Sequence, residues 1–328
     1  MNIRLVTPAP PGSLAGNRAS ANRWATLFRR LGHRVTVSTD YRGGAADLMV
    51  ALHAWRSADA IKHFATEYPE RALVVVVTGT DACRFIHTHR ETTLASLDAA
   101  DYIVGLHDLL GNALPERYHH RLRIIVQSAR PRAHRQLAKR SFRVCFAGHL
   151  REEKDPLRPA LAVRELPPES RIRVDAYGGA HNDEWARAAR DEMRRNPRYR
   201  WHGEIPHAEL RRVYSCSHLL VLPSVMEGGA NVISEAVMAG LPVIASDIEG
   251  SVGLLGVDYP GYYPVRDTDA LRERLLRAES DNGYYSELQT ACASLCERFT
   301  PQKEESGWGA LLQEIATSLR PGRSFRDR

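Results

Sequence analysis

Short apolar runs alternate with amphipathic stretches along the whole chain of 328 residues. In the first half, the runs that we predict to be strands are Ile3 to Val6, Arg34 to Ser38, Asp47 to Leu52, Leu73 to Val77, Tyr102 to Gly105 and Leu122 to Val126. In the second half they are Phe142 to Phe146, Ile172 to Tyr177, Tyr199 to His202, Leu219 to Leu222, Pro242 to Ala245 and Tyr262 to Val265. Such alternation is typical of parallel α/β architecture. We therefore predict an α/β protein with two Rossmann-like, doubly wound domains that face each other across a cleft.

The apolar periodicity stops between Gln127 and Ser141, where basic residues accumulate. These residues are Arg130, Arg132, Arg135, Lys139 and Arg140. A polar break between two series of core-forming elements marks a domain boundary. We predict an N-terminal domain over residues 1–140 and a C-terminal domain over 141–300. A helix over 301–320 can cross back to the first domain, and a disordered tail covers 321–328.

Charge and composition narrow the class of partner. The formal net charge is +6, but the basic residues are scattered among acidic ones and no basic stretch is interleaved with aromatic residues. This distribution disfavours a nucleic-acid partner and fits phosphorylated small molecules better. The apolar runs are strand-sized, well below the ~18 to 20 residues that span a bilayer, and the N-terminus lacks a signal-peptide pattern. We expect a cytoplasmic protein with no membrane partner; the pattern does not indicate an oligomeric state.

The five cysteines form no C-x-x-C pair, and their odd number argues against a disulfide framework. We expect reduced thiols and neither a metal site nor a cofactor. The chain also lacks G-x-G-x-x-G and G-x-x-x-x-G-K-[ST], which leaves a dinucleotide dehydrogenase and a P-loop NTPase unsupported. The loop from Gly12 to Asn17 lies between the first strand and a helix predicted over Arg18 to Leu31. It could bring backbone N–H groups close to a phosphate, or it could simply be a tight turn.

The most informative segment runs from Leu220 to Ala236. A buried strand ends in a Pro-Ser turn, and a Gly-Gly pair then opens a helix whose N-terminus presents free N–H groups and a positive dipole to an anion. A diphosphate fits this position. Glu227 precedes the turn and Glu235 lies about two turns along the helix, so they are spaced to bind two ends of one ligand rather than to share a proton. An ordinary helix with an N-terminal acid and a surface glutamate would not explain the Gly-Gly pair.

A second element follows the first strand of the C-terminal domain. There Gly148 permits a sharp turn, and Arg151 and Lys154 come directly after it. These cations could lie beside a diphosphate. The alternative is an exposed salt-bridge cluster with the neighbouring acidic residues.

The two elements, together with the segment from Trp201 to Pro206, resemble the retaining glycosyltransferases of the GT-B fold. The resemblance implies that Glu227 binds hydroxyls of the donor sugar and Glu235 the ribose, with Lys154, Glu227 and Arg151 as the catalytic set. It further implies a role in donor binding for Gly148, His149, Gly178, Ile205, Gly228, Gly229, Ala230, Asn231 and Val232. The family usually has Arg where this chain has His149, so either Arg151 makes that diphosphate contact or the cation is missing.

A narrower resemblance is to the selenosugar synthases of selenoneine biosynthesis. It rests on the segments Pro11 to Arg18, Thr78 to Asp81, Gly148 to Pro156, Met226 to Val232 and Gly250 to Gly256. It implies transfer from UDP-N-acetylglucosamine or UDP-glucose to selenophosphate, with a carbon–selenium bond formed and UDP released. An anionic selenium nucleophile needs no strong general base, and the sequence offers none. The implied acceptor-binding residues are Gly12, Ser13, Gly16, Asn17, Arg18, Thr80, Asp81, Arg84, Ser251 and Val252.

Three alternatives remain open at this point. The first is a glycosyltransferase that acts on an alcohol or a phosphorylated small molecule. The second is a UDP-sugar 2-epimerase, an isomerase with the same two-domain fold, which the two glutamates disfavour. The third is a non-catalytic nucleotide-sugar binding module, which the intact Gly148 to Lys154 element disfavours.

Overall fold

The computed structural model describes residues 1–133, 137 and 140–318. The predicted tail and two basic residues of the predicted linker, Arg135 and Lys139, lie outside the described residues. The chain divides into two compact units: unit 1 is Met1–Gln127 with the C-terminal segment that starts at Pro301, and unit 2 is Ser128–Thr300.

Unit 1 is a six-stranded parallel sheet with the order β2-β1-β3-β4-β5-β6. Its strands are β1 (Asn2–Val6), β2 (Arg34–Ser38), β3 (Leu48–Leu52), β4 (Ala72–Val76), β5 (Tyr102–Gly105) and β6 (Leu122–Ile124). Its helices are α1 (Gly16–Arg30), α2 (Ala58–Glu67), α3 (Ile86–Thr88), α4 (Arg90–Ala99) and α12 (Pro301–Ser318), with a π-helical turn over Asp81–Phe85. The strand order reverses between β1 and β3.

Two apolar cores cover the two faces of this sheet. On one face, Trp24 and Phe28 of α1 pack against Trp308 of α12, with ring centroids 5.0 Å apart in each pair. On the other face, residues of α2 and α4 such as Phe64 and Leu97 cover the strands. Because both faces are covered, β3 and β4 are buried along their whole length and read as continuous apolar runs.

Unit 2 is a second six-stranded parallel sheet, with the order β12-β11-β10-β7-β8-β9. Its strands are β7 (Phe142–Ala147), β8 (Ile172–Tyr177), β9 (Tyr199–Trp201), β10 (Leu219–Leu222), β11 (Val243–Ser246) and β12 (Tyr262–Tyr263). Its helices are α5 (Arg158–Ala162), α6 (Asp183–Arg195), α7 (His207–Cys216), α8 (Asn231–Met238), α9 (Glu249–Leu255), α10 (Thr268–Ser280) and α11 (Asn282–Ser294). The strand order reverses between β7 and β10.

All twelve predicted strands are present, and four of them have the predicted bounds. The predicted α/β fold with two doubly wound sheets is therefore confirmed. The passage from unit 1 to unit 2 comes at Gln127, earlier than the predicted residue 140. The reason is that Ala129 and Arg132 already donate backbone hydrogen bonds to carbonyls of Phe299 and Met238 in unit 2, at 3.0 and 2.9 Å.

None of the helices in the described residues has the length and apolar character needed to cross a bilayer.

Candidate functional site

The carboxyl ends of β7 and β10 lie side by side in unit 2, at the reversal of strand order. In open α/β sheets, ligands bind outside the carboxyl ends of the strands at such a reversal. Two loops leave the sheet there, residues 148–154 after β7 and residues 223–230 after β10. The predicted catalytic and donor-binding residues lie on these loops and on α8, apart from Gly178 and Ile205.

An ion pair joins the two loops. Lys154 ends a short 3-10 turn, and its Nζ donates a hydrogen bond to Oε1 of Glu227. Ser224 Oγ donates to the same oxygen at 2.6 Å, and the Val225 N–H donates to the Glu153 carbonyl at 2.9 Å. Glu227 is only 9% exposed. The cation predicted for a diphosphate and the carboxylate predicted for a sugar are therefore paired with each other, and the hydrogen bonds from Lys154 and Ser224 both end on Oε1.

The N-terminus of α8 lies directly after the second loop. The helix begins at Asn231, and its N-cap residue, Ala230, supplies no side-chain cap. The first backbone N–H groups of a helix have no acceptor within the helix, and the helix dipole makes this end attractive to an anion. Gly229 has φ +144°, a conformation that side chains rarely adopt. Gly228 precedes Gly229, and Val232 lies in the first turn of α8. The predicted donor-binding residues from Gly228 to Val232 therefore form one continuous segment that leads into the helix.

Glu235 lies further along α8 and has its own partners. His207 Nε2 is 2.8 Å from Glu235 Oε1. Burial raises the pKa of Tyr214 well above its ordinary value, and the nearby Glu235 raises it further. Glu227 and Glu235 thus have different partners, which fits the prediction that they act separately.

Three glycines at the carboxyl ends of β7, β8 and β9 bring the backbone of these loops together. A Cβ at Gly178, where φ is +143°, would lie 2.0 Å from the Gly148 carbonyl oxygen. The Gly178 N–H donates to the Gly203 carbonyl at 2.8 Å. Ile205, predicted to lie beside a nucleotide base, is half-buried two residues after Gly203. Only glycine at position 178 allows the first loop to approach β8 this closely.

His149 occupies the position where the resemblance to GT-B glycosyltransferases leads us to expect Arg. Burial lowers its pKa; Glu204 opposes this shift, while Arg151 and Lys154 add to it. The imidazole is therefore neutral near pH 7 and does not supply the missing positive charge. Arg151 is half-buried, and its Nε lies 3.2 Å from Glu153 Oε1. Because arginine does not deprotonate in proteins, Arg151 is a neighbouring group that does carry a positive charge.

Helix α9 packs its N-terminus against the Glu227 loop. A Cβ at Gly250 would lie 2.3 Å from the Glu227 carbonyl oxygen and 2.8 Å from its Cβ. Ser251 is fully buried and Val252 is half-buried. The contact at Gly250 shows that this segment supports the loop that carries Glu227, and the binding of an acceptor by Ser251 and Val252 stays a prediction.

In unit 1, the loop from Gly12 to Asn17 joins the carboxyl end of β1 to α1. Gly12 has φ +83°, and Ser13 Oγ accepts a hydrogen bond from the Ala15 N–H at 3.1 Å. Helix α1 begins at Gly16 with no side-chain cap, so its first N–H groups face outward. Asn17 is half-buried in this first turn. The structure thus brings Gly12, Ser13, Gly16 and Asn17 together, as the sequence predicts.

Arg18, in the same turn, is only 6% exposed. Its Nη1 is buried without a hydrogen-bond partner. Arginine does not deprotonate in proteins, so the guanidinium is a buried positive charge. It lines a cavity of about 540 Å³ between α1 and the edge strand β2. The side chains around this cavity include a second arginine, Arg29, and no carboxylate.

Thr80, Asp81 and Arg84 lie after β4, next to the carboxyl end of β3. Thr80 and Arg84 are half-buried, but Asp81 is 1% exposed. Asp81 is predicted to bind an acceptor, but both of its oxygens accept hydrogen bonds from protein donors. One of these donors is Nδ1 of His53, 2.7 Å from Asp81 Oδ1. His53 is not among the residues predicted to form the site; a histidine directly after a fully apolar strand is the signal that could have identified it.

Groups of metal-ligating side chains were also looked for. Over the ranges that the structure describes, no three His, Cys, Asp or Glu side chains come together in a way that could hold a metal ion.

Three of the solved structures that resemble this chain are the following. Sucrose-phosphate synthase from Thermosynechococcus elongatus matches with TM-score 0.80 and 16% identity, over 97% of this chain and 99% of that chain. Anabaena HepE in complex with UDP matches with TM-score 0.74 and 15% identity, over 96% of this chain and 100% of that chain. The pneumococcal O-GlcNAc transferase GtfA in complex with UDP and GlcNAc matches with TM-score 0.65 and 17% identity, over 92% and 60% of the two chains. At these identities the likeness shows the fold, which is the predicted GT-B fold.

The family follows from the sequence match. No curated protein matches the chain. The family model described as "Glycosyl transferases group 1" matches residues 129–294, which is half of the chain and nearly the whole of unit 2. The match includes both loops at the β7–β10 reversal and all of α8. The chain therefore belongs to the glycosyl transferases group 1 family.

Proposed function

We propose that this glycosyltransferase takes its sugar from a UDP-sugar and transfers it to selenophosphate. Unit 2 binds the donor, and the observation that carries this part is the convergence of Lys154, Glu227 and the α8 N-terminus at one strand-order reversal. The similar structures of HepE were determined with UDP and with UDP-glucose, and that of GtfA with UDP and GlcNAc. Both point to a uridine diphosphate sugar as the donor class.

The donor contacts follow from the positions of these groups. The diphosphate lies at the α8 N-terminus, where the backbone N–H groups and Lys154 stabilise the negative charge that grows as UDP leaves. Glu227 accepts a hydrogen bond from a sugar hydroxyl through Oε2, while Lys154 and Ser224 hold Oε1. Glu235 binds the ribose at the other end of the donor. No metal ion is needed, because the cation and the helix dipole supply the positive potential.

The acceptor binds to unit 1, and Arg18 is the observation that supports an anionic one. An isolated charge buried without a partner costs several kcal/mol, so a side chain in this position indicates a ligand of opposite charge. Arginine binds phosphoryl groups through two donors at once. The resemblance of the segments around Gly12, Thr78 and Gly250 to selenosugar synthases supports selenophosphate in particular. In the reaction, selenium bonds to the anomeric carbon as the bond from that carbon to the diphosphate oxygen breaks, which gives a glycosyl selenophosphate and UDP; hydrolysis of the selenium–phosphorus bond then gives the selenosugar and inorganic phosphate.

Incubation of the protein with UDP-N-acetylglucosamine or UDP-glucose and selenophosphate, followed by mass spectrometry, tests this function. We expect a selenosugar and UDP. If a glycoside formed only with an alcohol acceptor, the alcohol and not selenophosphate would be the substrate. An isomerised UDP-sugar without release of UDP would indicate a 2-epimerase, and UDP binding without turnover would indicate a binding module.

Replacing Arg18 by Met tests the anionic acceptor separately. Because the variant removes a buried charge, its free energy of unfolding should equal that of the wild-type protein or exceed it by up to about 1–4 kcal/mol. Inorganic phosphate should raise the Tm of the wild-type protein but not that of Arg18→Met. Arg30→Met is the matched control, since Arg30 lies on the same helix and is half-exposed in an ion pair with Glu305. If Arg18→Met still responded to phosphate, Arg18 would not hold the acceptor.

A further inference from the structure

His53 follows the apolar strand β3 in unit 1 and is 2% exposed. Its φ is +75°, in the left-handed region that residues with a side chain rarely adopt. Such conformations persist where the surrounding structure fixes them, and they cluster at ligand-binding sites. The imidazole lies between two polar groups: Nδ1 is 2.7 Å from Asp81 Oδ1, and Nε2 is 3.1 Å from Thr80 Oγ1.

Asp81 is fully engaged by protein donors. Oδ1 accepts the Trp55 N–H at 3.0 Å and faces His53, and Oδ2 accepts the Ala54 N–H at 3.0 Å. Oδ2 also accepts the N–H and the hydroxyl of Thr78, at 3.0 and 2.9 Å. Burial alone would raise the pKa of Asp81, but the bonds from His53, Trp55 and Thr78 outweigh it and hold the pKa below the ordinary value. Asp81 is therefore an ionised hydrogen-bond acceptor, and the donors that it pairs with all belong to the protein.

The ionised Asp81 fixes the tautomer of His53. The backbone N–H of Arg56 also lies 3.2 Å from Nδ1, and both contacts cannot be hydrogen bonds to one protonation state. The contact with the carboxylate is shorter and charge-assisted, so Nδ1 carries the proton and donates to Asp81. In the neutral imidazole Nε2 is then an acceptor, and the hydrogen of the Thr80 hydroxyl is directed to it.

The same direction holds for the neighbouring hydroxyl. Thr78 Oγ1 lies 3.4 Å from Thr80 Oγ1, but its own hydrogen is given to Asp81. Both hydroxyls thus turn their hydrogens into the protein and present oxygen lone pairs outward. Thr80 is half-buried at the carboxyl edge of the sheet, where a ligand can reach it.

We propose that Thr80 contacts the acceptor and that His53 and Asp81 are positioning residues that make its hydroxyl a hydrogen-bond acceptor. The group bound at Thr80 must then be a donor: a hydroxyl, or a phosphoryl oxygen that still carries a proton. This inference rests on the proposed function, in which unit 1 binds the acceptor. It adds the requirement that the acceptor substrate carries a hydrogen-bond donor. A fully deprotonated anion of the same size, shape and charge does not meet this requirement and is rejected.

Inorganic phosphate and sulfate are the probes that separate these requirements. The two anions have the same shape, but near neutral pH phosphate carries a proton and sulfate does not. Isothermal titration calorimetry of the full chain should give at least about tenfold tighter binding of phosphate, because sulfate leaves the Thr80 lone pairs unpaired. Thr80→Val and His53→Asn should bring the ratio of the two dissociation constants close to one, and Thr80→Ser should preserve it. His53→Asn keeps the donor to Asp81 and removes only the acceptor for Thr80.

The double variant Thr80→Val/His53→Asn should behave like each single one, because the two residues act as one unit. Thr88→Val, at an exposed threonine of the adjoining helix α3, is the matched control and should keep the wild-type ratio. If His53→Asn does not fold, Thr80→Val alone decides the question. Equal affinity of the wild-type protein for the two anions, no binding of phosphate, or an unchanged ratio in Thr80→Val would each overturn the proposal. A preserved ratio with no UDP released in the transfer assay would instead remove the proposed function and leave the Thr80 site standing.

Discussion

At the scale of single residues, the site in unit 2 depends on a buried carboxylate with a fixed counter-charge. Glu227 has two donors on one oxygen, the ammonium of Lys154 and the hydroxyl of Ser224. If either donor is removed, a carboxylate that is 9% exposed keeps its charge with less compensation. Ser224 in turn accepts the Ser246 hydroxyl on its carbonyl, so the carboxylate is held by a chain of buried polar groups.

Lys154→Ala should abolish turnover and leave the fold intact. The variant loses the cation beside the leaving diphosphate and also releases Glu227, so we expect kcat to fall by at least about 100-fold. The measurement is the rate of UDP release, with circular dichroism as the check on folding. Lys62→Ala is the control, since Lys62 is exposed on α2. A Lys154→Ala enzyme with a near-normal rate would remove Lys154 from the catalytic set.

The sequence alone predicted which charged residues belong to the site in unit 2, but not which groups those residues contact. Lys154 and Glu227 are 73 positions apart, and their ion pair exists only because β7 and β10 are neighbours in the sheet. His53 was missed for the same reason: its partners Thr80 and Asp81 follow a different strand. Local pattern predicts the ends of strands, whereas contacts across strands depend on their order in the sheet.

At the scale of elements, close approach of backbone segments shapes the donor loops. Gly178 lets β8 meet the loop after β7, and Gly250 lets α9 meet the loop that carries Glu227. Neither contact could be predicted from the sequence, where these positions look like ordinary turn glycines. The strands themselves were predictable, because most are apolar runs of strand length between polar segments, while β2 and β8 alternate polar and apolar residues.

Gly250→Ala should damage the donor site without a change in any charged group. The added Cβ would lie 2.3 Å from the Glu227 carbonyl oxygen, so α9 or the loop must move. We expect a loss of about 1–3 kcal/mol in the free energy of unfolding, with weaker UDP binding by calorimetry. Gly309→Ala is the matched control: it lies in α12 with nothing within 4 Å of the new Cβ, and should stabilise the protein by about 0.5–1 kcal/mol. Wild-type UDP affinity in Gly250→Ala would show that the contact is dispensable.

Helix α6 is held by a carboxylate whose contribution depends on pH. Burial would raise the pKa of Glu192, but hydrogen bonds from Arg164, Asn196 and Arg195 lower it from 4.5 to about 2. A depressed pKa in the folded state stabilises the protein above the unfolded pKa, and this contribution is lost as the pH falls through the folded one. Glu192→Gln should therefore lower the Tm most near pH 7, with a difference that shrinks from pH 4.5 towards 2. Thermal melts between pH 7 and 3 measure it, with exposed Asp191→Asn as the control; a pH-independent difference would contradict the assignment.

At the scale of the whole molecule, the two units differ in how the chain builds them. Unit 2 is one continuous segment, whereas unit 1 is completed by α12 after the chain has left it at Gln127. Trp308 of α12 is fully buried against Trp24 and Phe28. Glu304 accepts the Trp24 indole N–H at 2.7 Å and so fixes the same helix pair.

Trp308→Ala should destabilise unit 1 selectively. Removal of a buried tryptophan costs about 3–5 kcal/mol. Calorimetry should show one unfolding transition moved to lower temperature, while UDP binding to unit 2 is retained below that transition. Trp185→Ala, at a half-buried tryptophan on α6 of unit 2, is the comparison. A single transition that moves as a whole, with UDP binding lost, would mean that the units do not unfold independently.

The late position of α12 also affects synthesis of the protein. When Gln127 leaves the ribosome, the face of α1 with Trp24 and Phe28 has no cover, and Trp308 follows only after roughly 10 to 40 seconds at about 5 to 20 residues per second. Nearly all of Ser128–Thr300 is synthesised during that interval, so the apolar core of unit 1 is completed only after the chain of unit 2 has been made. The nascent first half meanwhile exposes an aromatic surface of the kind that chaperones bind.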